Sequence, residues 1–318
     1  MNHLISSQSK FLNKVITLLI ITILISSCRT SKLPSDLTID NAPTPPGTVK
    51  ISNNLFFGTA EISNIMYLEF MYWTKQIFGS NSTEYTSIIP DTMVWSKLNQ
   101  NYISHDTFYL RHFAYWHYPV VGISYEQAKA FSNWRSDRYM ELLLIENGII
   151  EPRTIIPKDS IFTTEKFFKG QYYGVNPKQH GSIYPVYSLP DSATYQHIYV
   201  FADSLNAKNI KKCKKKACAT FLITDYNCIE NKTYRTKDFP YGPDPTMPTQ
   251  CDHCPRNIIA HLKGNVREMT TTKGVYYGSS FIYSCKMPWN IFRKDIFEIN
   301  SYTGFRNVCE YKQWKYSY

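Results

Sequence analysis

The 318-residue chain is 43% hydrophobic and 15% aromatic, with 25 Tyr and only 19% charged residues, a balance that excludes a disordered chain. Its 13 Gly and 17 Pro show no period and no segment repeats itself, which excludes collagen and solenoid arrays. The net charge is +10, from 35 Lys and Arg against 25 Asp and Glu; Lys10 and Lys14 fall in a leader, and Lys211, Lys212, Lys214, Lys215 and Lys216 form one run. Too little positive charge remains for a nucleic-acid groove, and no nucleic-acid partner is expected.

In chain order, Lys10 and Lys14 precede the apolar run Val15 to Ile25, which is too short to span a bilayer, a task for about 20 residues. With Ser26 and Ser27 behind it, this is a secretory signal. Cys28 directly after the small residues makes residues 1–27 resemble a bacterial lipoprotein signal peptide, with Cys28 as the acylated residue. The plainer reading is an ordinary signal followed by an incidental Cys. Residues 28–50, rich in Ser, Thr and Pro, read as a flexible tether, leaving 51–318 as the domain.

Leu55-Phe56-Phe57 reads as a strand. Ser63 can cap a helix with apolar positions Ile65, Leu68, Met71 and Tyr72, stopped by Gly79. Pro119 to Ile123 is a buried extended piece. Ser124 and Gln127 then form a capping box for a helix whose stripe is Ala128, Phe131, Trp134 and Leu142, ended by Gly148. A third helix starts at Asp191 with Tyr195, Ile198, Ala202 and Leu205 on one side, and short strands follow Gly264. The fold class is therefore α+β with long loops, and 149–187 and 206–258 read as insertions.

Beyond Cys28 the cysteines are Cys213, Cys218, Cys228, Cys251, Cys254, Cys285 and Cys309. Outside the cytosol disulfides are the default, and an odd number leaves a thiol over. Cys251-Asp252-His253-Cys254 fits a short-loop disulfide, halves of two separate disulfides, a zinc pair or a redox pair, and Cys213 and Cys218 could complete a four-thiolate zinc site with it. His112 and His117 lie among Tyr115, Trp116 and Tyr118. That segment reads as an aromatic loop packed on the core, with a sugar-binding shelf as the sharper alternative. The lysine run reads as a solvated loop, or as a contact for anionic lipid or an acidic partner. No phosphate loop, dinucleotide fingerprint, zincin motif or nucleophile elbow is present.

Several motifs fall in the order of one family. They are Glu61-Ile62-Ser63-Asn64 with Tyr67 and Phe70, Pro119 to Ser124 with Ala128, Phe131 and Trp134, and Leu189-Pro190. Gly264-Asn265-Val266 with Glu268, Gly278 with Ser280 and Phe281, and Gly304-Phe305-Arg306 complete the set. Together they resemble the formylglycine-generating-enzyme or sulfatase-modifying-factor domain, an elaborated C-type-lectin-like fold. Trp134 to Arg138, running into Glu141 to Ile149, is similar to the gliding-motility lipoproteins of the J and K types. That resemblance implies an outer-membrane lipoprotein, on the periplasmic face, among the proteins of a gliding and type IX secretion assembly.

Catalytic members oxidise a substrate cysteine with oxygen and copper(I) held by two thiolates, ligands that soft copper(I) prefers. The family's spacing from Phe281 places those cysteines at Tyr283 and Pro288. The resemblance therefore implies a non-catalytic scaffold with no expected cofactor. An oxidase using a displaced thiol at Cys285, with copper, is the alternative, and an envelope glycan- or ligand-binding module is a third reading. A structural calcium would use Glu268 and an Asn at the position held here by His261, and imidazole suits calcium poorly. Gly264, Asn265, Gly278, Ser280 and Arg306 carry structural roles: a positive-φ turn, close backbone approach, and a guanidinium that satisfies backbone carbonyls.

Overall fold

A computed structural model describes residues 42–153, 157–172, 174–212, 227–228, 236–249, 258–284 and 299–316. The fold class is α+β. Strands β1 (Thr48–Lys50), β2 (Leu55–Gly58), β3 (Ile183–Ser188) and β7 (Val308–Gln313) form an antiparallel sheet in the order β1-β2-β7-β3. A smaller sheet runs β5-β4-β6, from β4 (Arg267–Met269), β5 (Tyr276–Tyr277) and β6 (Thr303–Gly304), with β4 and β6 parallel.

The first long helix, α1 (Asn64–Phe78), has Ser63 in an extended N-cap conformation that makes no side-chain capping bond, and it stops at Gly79, whose φ is 90°. Its buried face is Asn64, Tyr67, Phe70, Met71 and Thr74, rotated from the predicted stripe. Tyr72 is 66% exposed, because Tyr67 and Phe70 pack on Phe131 and leave Tyr72 on the far side. Three short helices absent from the sequence prediction follow: α2 (Thr83–Thr86), α3 (Val94–Leu98) and α4 (Ile103–Phe108). Each is too short to carry a periodic signal. Asp106 on α4 holds α3 in place, its Oδ1 accepting from Trp95 N and Ser96 N, both at 3.1 Å.

The longest helix, α5 (Tyr125–Glu146), starts at the predicted capping box: Gln127 N donates to Ser124 Oγ (3.1 Å) and Ser124 N to Gln127 Oε1 (2.8 Å). Ala128 and Phe131 face the core, whereas Leu142 at the far end is 42% exposed. The turn there is anchored instead by Tyr139 and Leu143 against Phe56, Tyr187, Cys309 and Tyr311.

Two boundaries read from sequence are corrected. Thr48–Lys50 is not tether but β1: Val49 is buried among Phe57, Ile198 and Tyr199, and Tyr311 O–H reaches back to Pro43 O at 2.8 Å. Nor is 149–187 a mere insertion, since it ends in β3. The helix α6 (Thr164–Phe168) within it sets Phe167 and Phe168, with Phe162 and Tyr172, in a core shared with Met140 and Leu144 of α5. The last helix, α7 (Ser192–Lys212), starts as predicted, with Asp191 Oδ1 accepting from Thr194 N at 2.7 Å. It buries Tyr195, Ile198, Tyr199 and Ala202, while Leu205 is partly buried. Residues 236–249, within the second predicted insertion, lean Phe239 and Tyr241 on the cluster around Trp95 and Phe281.

Candidate functional site

Alternation along β4 sends Glu268 to one face and Arg267 and Met269 to the other. On the Glu268 side lies an ionic centre closed to solvent. Arg306, fully buried, donates from Nε to both Glu268 oxygens at 3.0 Å and from Nη2 to Oε1 at 2.7 Å. Its Nη1 donates to Gly58 O (2.9 Å) and Nη2 to Ala260 O (2.7 Å). Tyr195 O–H, from α7, donates to Glu268 Oε2. Burial alone would lower the Arg306 pKa, but the adjacent Glu268 carboxylate overrides it and holds the guanidinium charged.

A second buried carboxylate, Glu61, accepts from Asn265 Nδ2 (2.8 Å) and Val266 N (3.2 Å). Burial, reinforced by repulsion from Glu268, pushes its carboxyl well above the ordinary range. Asn265, at φ 68°, also ties in Asn227 and Met247, its Oδ1 accepting from Asn227 Nδ2 (3.1 Å) and Met247 N (2.8 Å). This web joins Gly58, Glu61, Tyr195, Asn227, Met247, Ala260, Asn265, Glu268 and Arg306, drawn from segments far apart in the chain. Sequence reasoning quoted Glu61 within a motif without giving it this role; an acid set between Ala60 and Ile62 was the available signal.

The predicted motif residues take structural positions. Asn265 supplies the left-handed turn of the Gly264-Asn265 pair. Gly278 has φ 75°, and a Cβ there would lie 2.9 Å from Leu262 O. Ser280 is fully buried, its carbonyl accepting from Tyr283 N at 3.0 Å. Arg306 satisfies two carbonyls as expected and additionally clamps Glu268. Cys228 is buried and disulfide-bonded, and Cys309 is a buried free thiol whose pKa burial pushes up to about 12. Cys28, Cys213, Cys218, Cys251, Cys254, Cys285 and Pro288 lie outside the described residues, as does the lysine run beyond Lys212.

The residues at the implied calcium position do not fit that ion. Both Glu268 oxygens are engaged by Arg306 and Tyr195, and a dication would have to displace a guanidinium from a carboxylate it already neutralises. His261, at φ 57°, turns Nε2 to Pro248 O at 3.0 Å, and burial lowers its pKa to about 4. At the first implied copper position, Tyr283 presents a phenol, a poor ligand for soft copper(I). Tyr283 lies edge-on to Tyr302, with ring centroids 5.7 Å apart, and its ring is 5.8 Å from the Arg267 guanidinium.

The histidine-bearing loop is only partly packed on the core. Tyr115 and Tyr118 lean on the Trp95 cluster, but Phe108, Phe113 and Trp116 are 51%, 69% and 40% exposed. His112 Nδ1 accepts from Ala114 N at 3.3 Å. Beneath the loop, Asp244 Oδ1 accepts from Tyr115 O–H (2.8 Å) and lies 3.6 Å from His105 Nε2. The His105 contact, followed by the Tyr115 bond, holds the Asp244 carboxyl below its usual range against the effect of desolvation.

No protein-family model and no curated protein matches this chain. Among solved structures, the crystal structure of CarF aligns at 14% identity over 80% of this chain and 86% of that one, with a TM-score of 0.32. At that score the likeness carries no argument about fold or function.

Proposed function

We propose that the chain is a lipid-anchored, non-catalytic scaffold on a formylglycine-generating-enzyme-like fold, serving a cell-envelope assembly of the gliding-motility and type IX secretion kind. The anchor is acylated Cys28 in the outer membrane, on the periplasmic face, and the partners are other envelope proteins. The motif order supports the family reading. One observation carries the non-catalytic part: the first implied metal position holds Tyr283, packed among Tyr302 and Arg267, where copper chemistry needs a thiolate. No helix among the described residues is long and apolar enough to cross a membrane, which agrees with attachment through a lipid.

The test is co-purification of the lipidated protein from its own cells. Recovery of a defined set of envelope proteins, unchanged by Cys285→Ser, is the expected result. Stoichiometric copper(I) binding that Cys285→Ser abolishes would instead favour the oxidase alternative. Cys28→Ala should release the chain from membranes, and detergent-dependent extraction of that variant would contradict the anchor. The exposed rings of Phe108, Phe113 and Trp116 favour a second reading, an envelope glycan-binding module, for which retention on peptidoglycan or polysaccharide is the discriminating measurement.

A further inference from the structure

The end of α4 and the loop after it, residues 107–118, satisfy much of their own hydrogen bonding and turn rings outward. The amides of Arg111 and His112 donate to Phe108 O (3.1 and 2.8 Å), Tyr115 N to His112 O (2.9 Å), Trp116 N to Phe113 O (3.2 Å) and Tyr118 N to Tyr115 O (3.0 Å). Ala114 N donates to His112 Nδ1, and the indole Nε1 of Trp116 to Arg111 O at 3.3 Å. Tyr115 and Tyr118 fix the base of the loop on the Trp95 cluster. What this leaves facing water, beside Arg111, is mostly ring carbon. Phe113 is 69% exposed, and Phe108 and Trp116 are exposed on the same loop. The His112 ring joins the two phenylalanines, its centroid 6.0 Å from that of Phe108 and 4.5 Å from that of Phe113. Exposed rings gathered in one place mark a contact surface.

Charge narrows the partner. From Thr107 to Tyr118 the chain carries Arg111, which is exposed, and no Asp, Glu, Asn or Gln. A sugar site needs such acids or amides beside its aromatic face to bind hydroxyl groups. Asp244, beneath the loop, is already engaged by Tyr115 O–H and lies 3.6 Å from His105 Nε2. A bilayer surface asks for what the loop has. Aromatic rings seat at headgroup level, a guanidinium pairs with phosphate, and backbone groups bonded within the loop are not stranded when water is displaced.

We propose that residues 107–118 dock on the surface of an anionic bilayer, with Phe108, Phe113 and Trp116 entering the headgroup region and Arg111 meeting lipid phosphates. The inference goes beyond the anchor reading. A lipid on Cys28 would hold the chain near a membrane, whereas this loop decides which face of the domain lies against it.

Fluorescence quenching by lipid tests it. The full chain is mixed with excess vesicles of phosphatidylcholine and phosphatidylglycerol in equal parts, their acyl chains brominated near the headgroup. Bromine quenches an indole only at close range, and Trp116 is one of six Trp in the chain. The expected result is a quenched component of the emission that disappears in Trp116→Phe. It should fall about twofold or more in Phe113→Ser, at an unchanged urea midpoint, because membrane affinity scales with the apolar area inserted. It should also shrink on brominated phosphatidylcholine alone. Quenching that is equal in Trp116→Phe and the parent, unaffected by Phe113→Ser, or the same on both lipid compositions would overturn the assignment. So would retention of the parent chain on peptidoglycan that Phe113→Ser abolishes, which would give the rings to a glycan. The anchor is judged apart, by release of the Cys28→Ala variant from cell membranes, so either reading can fail without the other.

Discussion

His261 is held neutral by burial, with its pKa lowered to about 4 in the folded chain, whereas an unfolded histidine titrates near 6.5. The stability this difference contributes is complete above the unfolded value and is lost as the pH falls from about 6.5 towards about 4, up to about 3 kcal/mol in all. Glu61 acts in the opposite sense. Its raised carboxyl takes up a proton more readily folded than unfolded, so its cost shrinks on acidification. Comparison with a variant separates the two. His261→Asn tolerates the positive φ and removes the imidazole, so urea midpoints measured at pH 7 and pH 5 should differ less than in the parent chain. Removing Arg306 is a harsher change at the same centre. Arg306→Met strands the Glu268 carboxylate in the core and should cost roughly 3–5 kcal/mol, read as a fall in urea midpoint.

At the scale of elements, the sequence signals that succeeded are those written locally. The Ser124–Gln127 box and the Asp191 cap each involve residues three apart whose chemistry is self-contained, and both helix starts were legible. The signals that failed depend on a distant partner. Tyr72 looked apolar enough to face inward, but which side of α1 is buried is decided by Phe131 on another helix. Thr48–Lys50 looked like tether because its composition is polar, and only the pairing of Val49 with Phe57 makes it a strand. The contact of Tyr283 with Arg267 was illegible for the same reason, since it joins a loop to a strand that no periodicity relates. Segment 157–172 makes a further case. It is held to α5 by Arg138, whose Nη2 donates to Phe162 O at 2.6 Å and whose guanidinium lies 4.7 Å from Trp73, and by Asp137, which accepts from Thr164 N at 2.8 Å. Arg138→Met should loosen this segment before the rest, by roughly 1–3 kcal/mol. Hydrogen exchange resolved by segment should show 157–172 losing protection while the two sheets keep theirs.

For the whole molecule, the question is where the folded domain begins relative to its proposed anchor. The composition placed the border after residue 50, but residues 42–50 are bound at several points. Val49 is buried against α7, Thr59 N donates to Gly47 O at 2.9 Å, and Arg135 Nη2 donates to Pro46 O at 3.0 Å. At the chain's other end, Tyr311 O–H donates to Pro43 O at 2.8 Å. This start is therefore a clasp across the α5 face and the C-terminal strand. A chain starting at Ala42 keeps every one of these contacts and is the reference. One starting at Ile51 gives up the β1 ladder, a buried valine and these bonds, and should lose about 3 kcal/mol or more. It would also expose β2 as a sheet edge, with the self-association that an open edge invites. Urea midpoints and sedimentation of the two chains check this. Equal stability and a monomeric state for the chain starting at Ile51 would return residues 42–50 to the tether.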